Sequence, residues 1–97
     1  MAIASNCNPG SAPTSSIPFT IALATRKLGI TTPEAISACT VNAAALLGLH
    51  DRGTISAGKR ADLILLRHRD ERMLGYEFGG DPIDCVISGG RVVRSLL

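Results

Sequence analysis

The feature that most constrains this chain is a loop-forming segment, Ser5–Thr14, close to the amino terminus. It places Pro9, Gly10 and Pro13 among amides, hydroxyls and a thiol. Proline lacks a backbone donor and glycine adopts unusual dihedral angles, so the segment cannot continue a strand or start a tight helix. Because it follows the apolar run Ala2–Ala4, we predict a loop at the carboxyl end of a buried strand, where α/β enzymes keep their chemistry. A loop of this kind so early in the sequence predicts that the chain is the tail of a longer protein.

Composition and charge argue against several classes of partner. The net charge is +2 over 97 residues, and no basic run is interleaved with aromatic residues, so we predict no nucleic-acid partner. No apolar run approaches the ~18 residues of a membrane span, and the first residues lack the charged region of a signal peptide. Three widely spaced cysteines without a Cys-x-x-Cys pair are typical of reduced thiols. Together these features predict a soluble cytoplasmic protein.

Residues 15–48 carry the signals of three helices. Each signal combines a capping hydroxyl with a proline in the first turn or a glycine after the last turn. The first helix is capped by Ser15 or Ser16, has Pro18 in its first turn and stops at Gly29. The second begins at Thr32-Pro33-Glu34, with Thr32 as the capping hydroxyl. The third is capped by Thr40, runs through Leu47 and stops at Gly48.

From Leu49 onward the pattern changes to that of strands. The nearly continuous apolar run Ala61–Leu66 predicts a strand covered on both faces. Cys85–Ser88 and Arg91–Arg94 predict a hairpin, because Gly89-Gly90 supplies the positive φ angles of a two-residue turn. Two weaker predictions are a short strand at Thr54-Ile55 and a helical turn over Arg72–Tyr76. The isolated chain is therefore predicted to have an α+β fold.

The order of these motifs resembles the carboxyl-terminal third of the metal-dependent amidohydrolases. The motifs that carry the resemblance are Thr32-Pro33-Glu34-Ala35, Thr40-x-Asn42-Ala43-Ala44, Leu47-Gly48-Leu49, Gly53-Thr54-Ile55-x-x-Gly58-Lys59-Arg60-Ala61-Asp62-Leu63 and Val86-Ile87-x-Gly89-Gly90-Arg91-Val92-Val93. Within that superfamily, the loop Cys7–Thr14 is similar to that of imidazolonepropionases, as is the stretch Tyr76–Pro82.

The resemblance implies a (β/α)₈ barrel with an appended β-sandwich. In that arrangement residues 1–48 end the barrel and residues 49–97 supply sandwich strands. More finely, it implies that residues 2–5 are the last barrel strand, 15–48 the closing helices, and about 54–66 and 83–95 the sandwich strands.

The resemblance also implies a chemistry, the hydrolysis of 4-imidazolone-5-propanoate to N-formimino-L-glutamate in histidine degradation. In the family one zinc or iron ion activates the attacking water while a carboxylate takes the proton. Asn6 stands where the family has an aspartate that serves the metal, and a neutral amide is a weak ligand and no base. Asn8, Gly10 and Ser11 match positions that bind the small-molecule substrate.

The remaining ligands of such a site are not in this sequence. No His-x-His motif is present, and we expect structural or solvated roles for His50 and His68, whose spacing fits no metal motif. We therefore predict that the chain alone holds no metal and catalyses nothing, and that it forms a homo-oligomer or requires the missing barrel. Two alternatives stay open: the tail of another cyclic-amide hydrolase, and a non-catalytic module that associates with itself.

Four further features have plainer interpretations. Cys7 lies beside the predicted site, but it is expected to be a structural filler rather than a reactive thiol, and Cys39 a small core residue. Asp62 is expected to tie down a loop or cap a strand end. Lys59-Arg60 is expected to be a solvated turn, because no glycine-rich loop enters a helix there.

Overall fold

The fold, seen in a computed structural model that describes residues 1–12 and 14–97, begins with two helices whose ends are set by local signals. Helix α1 spans Ile17–Leu28; the Ser16 hydroxyl accepts from the Phe19 amide at its start, and Gly29 ends it at φ 67°. Both ends agree with the sequence prediction. Helix α2 spans Thr32–Cys39, but its cap is Thr31 rather than Thr32.

The shift of that cap has a simple cause. The Thr31 hydroxyl accepts from the Glu34 amide at 3.3 Å, and the Glu34 carboxylate accepts from the Thr31 amide at 3.1 Å. This reciprocal pair is a capping box, which requires the acid three residues after the cap. The position of Glu34 therefore makes Thr31, and not Thr32, the N-cap of α2.

The remaining elements follow the predicted order. Helix α3 is Val41–Leu46, with Thr40 at its cap position but no side-chain capping bond, because the Thr40 hydroxyl donates to Ile36 O instead. The other elements are β1 (Leu63–Leu66), the single-turn helix α4 (Met73–Tyr76), β2 (Ile83–Ser88) and β3 (Arg91–Ser95). The three strands form one antiparallel sheet in the order β1-β2-β3, with the predicted turn at Gly89-Gly90. The α+β prediction is confirmed.

Two predicted strands are absent from the part of the chain that the structure describes. Thr54-Ile55 lies between turns at Gly53 and Gly58, and Ile55 is 90% exposed, so that prediction was wrong. Residues 2–5 also form no strand, because no neighbouring strand is present to pair with them. The Ile3 amide donates instead to Ala38 O at 3.0 Å, which lays this segment against α2.

A small core joins the helices. Ile21 of α1, Ala35 of α2 and Leu74 of α4 are buried together, and the less buried side chains around them are Ile30, Ile36, Cys39 and Leu66. Gly75 permits the close approach of α4 to the start of α2, since a Cβ there would clash with the Thr32 hydroxyl. No helix among the described residues is long and apolar enough to cross a membrane.

Candidate functional site

The predicted substrate loop is held together by the side chain of Asn8. Its Oδ1 accepts from the amides of Gly10 at 3.0 Å and Ser11 at 2.8 Å, and its Nδ2 donates to Asn6 O at 2.7 Å. The backbone amide of Asn8 donates to Ala12 O at 2.9 Å, and this pairing forms an isolated β-bridge across the loop. The Asn-Pro-Gly-Ser order is typical of such a turn, in which asparagine bonds to backbone groups two and three residues on.

Asn6 has the only positive φ of a non-glycine residue among residues 1–12 and 14–97, at 55°. Asparagine tolerates this left-handed conformation better than most residues. The Asn6 side chain is exposed, and its backbone carbonyl is the one bonded by Asn8. The backbone of Asn6, the residue expected at the family's aspartate position, is thus fixed by this hydrogen bond.

The four predicted site residues lie together on one exposed loop, apart from a large cavity elsewhere in the molecule. Asn6, Gly10 and Ser11 are exposed and Asn8 is half-buried. The cavity, a groove of about 790 Å³, lies between α1 and the sheet. Its apolar lining includes Ile17, Ile21, Leu63, Ile64, Val86 and Ile87, and no residue of the loop 5–12.

The loop does not fit a metal ion by itself. Asn6 offers a neutral amide oxygen, and metal centres of this chemistry need several imidazole or carboxylate ligands. Across residues 1–12 and 14–97, no three histidine, cysteine, aspartate or glutamate side chains converge on one point. We therefore assign no catalytic step to a metal held by this chain. Pro13, which belongs to the predicted motif, lies outside the described residues.

The two histidines lie far along the chain from this loop. His50 is exposed, and its carbonyl accepts from Lys59 Nζ at 2.5 Å. The His68 side chain faces Glu77, with Nε2 3.4 Å from Oε2 and both atoms buried. These positions agree with the predicted structural and solvated roles.

The cysteines divide into two kinds. Cys39 packs against the core, and burial raises the pKa of its thiol above the ordinary value, as expected of a small core residue. Cys85 is buried in β2. Cys7 is exposed among the described residues, so the expectation that it is a structural filler was wrong.

Asp62 ties down the hairpin, as predicted. Its Oδ1 accepts from Arg60 Nε and from the Gly89 amide, each at 2.8 Å. The Arg60 hydrogen bond, then the Gly89 amide, lowers the pKa of the Asp62 carboxyl below its ordinary value. Arg60 therefore stabilises the hairpin through Asp62. Both Lys59 and Arg60 are exposed, as expected of a solvated turn.

Arg26 is a key contact residue that sequence reasoning missed. Its guanidinium donates to Gly75 O at 2.7 Å and Tyr76 O at 2.8 Å, and lies 4.9 Å from the centre of the Phe78 ring. Phe78 also packs on Phe19 with ring centres 4.9 Å apart. Arg26 thereby anchors the stretch Tyr76–Pro82 to α1. Local sequence carries no signal for this contact, because the partners are about fifty residues apart.

Comparison with known proteins places the chain among hydrolases. The sequence model described as "Amidohydrolase family" matches residues 7–94. The imidazolonepropionase of Herpetosiphon aurantiacus is 48% identical over 95 residues, which are 97% of this chain and 22% of that protein. Those of Deinococcus deserti and Porphyromonas gingivalis are 48% and 43% identical over 93% and 96% of this chain. The chain thus spans between a fifth and a quarter of the length of these relatives.

Proposed function

This chain belongs to the amidohydrolase family, and on that premise we propose that it is the carboxyl-terminal part of an imidazolonepropionase-type hydrolase. The reaction proposed for the whole enzyme is hydrolysis of 4-imidazolone-5-propanoate to N-formimino-L-glutamate, in histidine degradation. The observation that carries the proposal is the 43–48% identity to imidazolonepropionases over almost the whole chain. The intact loop motif Asn8-Pro9-Gly10-Ser11 supports it.

We infer two structural roles within that enzyme. Residues 1–48 end the catalytic (β/α)₈ barrel, and residues 49–97 supply strands to the appended sandwich. Exposed apolar groups support this assignment. Successive strand residues point to opposite faces of a sheet, and Val92 and Val93 of β3 are each 62% exposed. The described residues therefore cover neither face of β3, and we propose that further layers of the parent fold supply the cover.

The loop has a limited part in the proposed chemistry. It forms one wall of the substrate site, with Ser11 and Gly10 facing the substrate and Asn6 at the position of the family's aspartate. A zinc or iron ion of the family would polarise the carbonyl and activate water, and its histidine ligands must come from outside this chain. We propose that the chain alone binds no such ion, that it catalyses no turnover, and that the whole enzyme is cytoplasmic.

The decisive experiment is a graft. This chain replaces the matching 22% of the Herpetosiphon aurantiacus relative, with Asn6→Asp to restore the carboxylate, and turnover of 4-imidazolone-5-propanoate is measured. The unmodified relative is the positive control, and the purified chain alone is the negative control. Turnover by the graft supports the proposal, and a folded, metal-loaded graft without turnover contradicts it. About one zinc or iron per purified chain would overturn the proposed metal-free state.

A second candidate, a self-associating module, is favoured by the amount of exposed surface. The chain exposes 6435 Å², whereas a folded monomer of 10.1 kDa exposes about 5300 Å². The excess of about 1100 Å² is comparable to one side of a standard protein interface. Analytical ultracentrifugation distinguishes the cases: a discrete dimer favours the module, broad association favours the fragment, and a stable monomer counts against both.

A further inference from the structure

We propose that the groove between α1 and the sheet is a docking surface for a second copy of this chain, so that two free chains form a closed, two-fold symmetric dimer. The apolar lining of this α1–sheet groove is Ile17, Ile21, Leu63, Ile64, Val86 and Ile87. The proposal rests on the second candidate function, self-association, and assigns it to one surface. The loop 5–12 does not line the groove, so the surface is separate from the candidate substrate site.

The apolar lining of the groove is only partly used by the core. Ile17 of α1 is 39% exposed and Ile64 of β1 is 45% exposed. Leu63, Val86 and Ile87 of the paired strands β1 and β2 are half-buried. Apolar side chains from a helix and two strands thus share one cavity and remain in contact with solvent. Exposed apolar surface gathered in this way marks a site of interaction.

The size of the uncovered surface fits a protein partner. The chain exposes about 1100 Å² more than a monomer of its mass. A standard interface removes about 800 Å² from each partner. A second copy seated on the groove would therefore bury most of the surplus.

The polar groups of the groove argue against a small ligand. Asp62 already accepts from Arg60 and from the Gly89 amide, and Asp81 already accepts from Arg94. A small-molecule site needs a few polar groups that are free to orient its ligand. Here the acids that line the groove are satisfied within the chain, so the groove offers chiefly apolar contact.

The charges at the groove fit a copy of the same surface. Asp81 and Arg94 both line it and form an ion pair, with side chains 50% and 44% exposed. In a two-fold interface the same patch meets itself. A patch of one sign would repel its copy, whereas this patch presents an acid and a base that can each face the opposite charge of the partner.

The strand edges favour a closed dimer over open-ended growth. The outer strands of the sheet are β1 and β3, and the pairing of each with β2 contains a register shift. The β1 shift lies at Leu65-Leu66, and in β3 it leaves Val93 without a partner in β2. Arg91 and Arg94 add charge along β3. Bulges and charged side chains hinder the addition of a further strand at an edge.

The test is analytical ultracentrifugation of the purified chain and two matched variants. Ile17→Asp puts a carboxylate into the groove of both copies, where docking would desolvate it. An acid in the first turn of a helix is favourable, so α1 should tolerate the change. We expect a discrete dimer of the unmodified chain, and a dissociation constant at least about a hundredfold higher for Ile17→Asp.

The matched control is Ile55→Asp, which adds the same charge at a residue that is 90% exposed and does not line the groove. It should change the dissociation constant by no more than about twofold. A dimer that Ile17→Asp leaves intact, or that Ile55→Asp weakens equally, would overturn the proposal. A chain that stays monomeric, or one that associates without a discrete dimer, would overturn it as well.

A second measurement uses the unmodified chain alone and decides the matter if Ile17→Asp does not fold. On dilution of the dimer, the NMR amide signals of Ile64 and Val86 should shift, and those of Ile55 and Ser56 should not. Shifts confined to residues outside the groove would contradict the assigned surface.

Failure of this surface and failure of the proposed function give different results. Turnover by the grafted enzyme supports the proposed function even where the free chain is monomeric, and the docking surface then fails. An inactive graft beside a dimer that Ile17→Asp dissociates contradicts the proposed function and leaves the docking surface standing.

Discussion

The side-chain amide of Asn8 donates a hydrogen bond of 2.7 Å to the backbone carbonyl of Asn6, which joins the two most informative positions of the loop. Asn8 holds the loop closed. Asn6 stands at the position where related hydrolases are expected to have an acid. We propose that the loop keeps the shape of a substrate-site wall, although it carries an amide where a carboxylate is expected.

The first prediction concerns that change. In the grafted enzyme, Asn6→Asp should raise kcat about a hundredfold or more over the graft that keeps Asn6, because a positioned base contributes about 10²–10⁴-fold. The control Asn42→Asp adds the same charge on α3, outside the loop, and should leave kcat unchanged. Equal rates for the two Asn6 grafts would contradict the assigned position.

The second prediction concerns the core. Ile21→Ala removes a buried side chain between α1, α2 and α4 and should lower the free energy of unfolding by about 2–4 kcal/mol. Leu28→Ala, at an exposed position of the same helix, should change it by less than about 0.5 kcal/mol. Urea denaturation followed by circular dichroism measures both. Similar losses for the two variants would mean that the core is placed wrongly.

The third prediction concerns the anchor between α1 and α4. Arg26→Lys keeps the charge but loses the planar group that reaches Gly75 O and Tyr76 O together. It should lower the free energy of unfolding by about 1–2 kcal/mol. Lys27→Arg, the reverse change at the next residue, should have little effect. If Arg26→Lys left the free energy of unfolding unchanged, the anchor would not contribute to stability.

The fourth prediction concerns an exposed ion pair. Arg72 donates to the carboxylate of Asp70 through its side chain and backbone, and these bonds lower the pKa of Asp70 from 3.8 to about 2. Because the pKa is lowered by folding, the contribution of this pair to stability is complete above pH 3.8 and is lost as the pH falls toward 2.

Arg72→Gln tests that pair directly. The Asp70 pKa, followed by carboxyl-carbon NMR, should return toward 3.8, whereas Arg91→Gln in β3 should leave it low. A titration of Asp70 near 3.8 in the unmodified chain would contradict the predicted interaction.

Sequence reasoning succeeded where the cause is local. Ser16 and Gly29 bound α1, and Gly89-Gly90 makes the hairpin, because caps and turns depend on adjacent residues. The Thr31 cap, which the sequence analysis places at Thr32, is also a local feature, because threonine three residues before Glu34 is the sequence pattern of a capping box.

Prediction failed where the cause is a distant or missing neighbour. Thr54-Ile55 has strand composition, but pairing requires a second strand beside it, and the described chain provides none. Residues 2–5 form no strand here for the same reason, and their place as the last barrel strand of the parent fold stays a prediction. The Arg26 contacts with Gly75 and Tyr76 cross about fifty residues and leave no local pattern. At the candidate site, the sequence predicts which residues form the loop, and their role in binding stays a prediction. The hydrogen bonds of Asn8 within the loop required the structure.

The most direct measurement is the turnover of 4-imidazolone-5-propanoate by the Herpetosiphon aurantiacus relative that carries this chain, with Asn6→Asp, in place of its own matching segment. We predict turnover well above background, together with no turnover by the purified chain alone. A folded, metal-loaded graft that leaves the substrate intact would contradict the assignment of this chain to an imidazolonepropionase-type hydrolase.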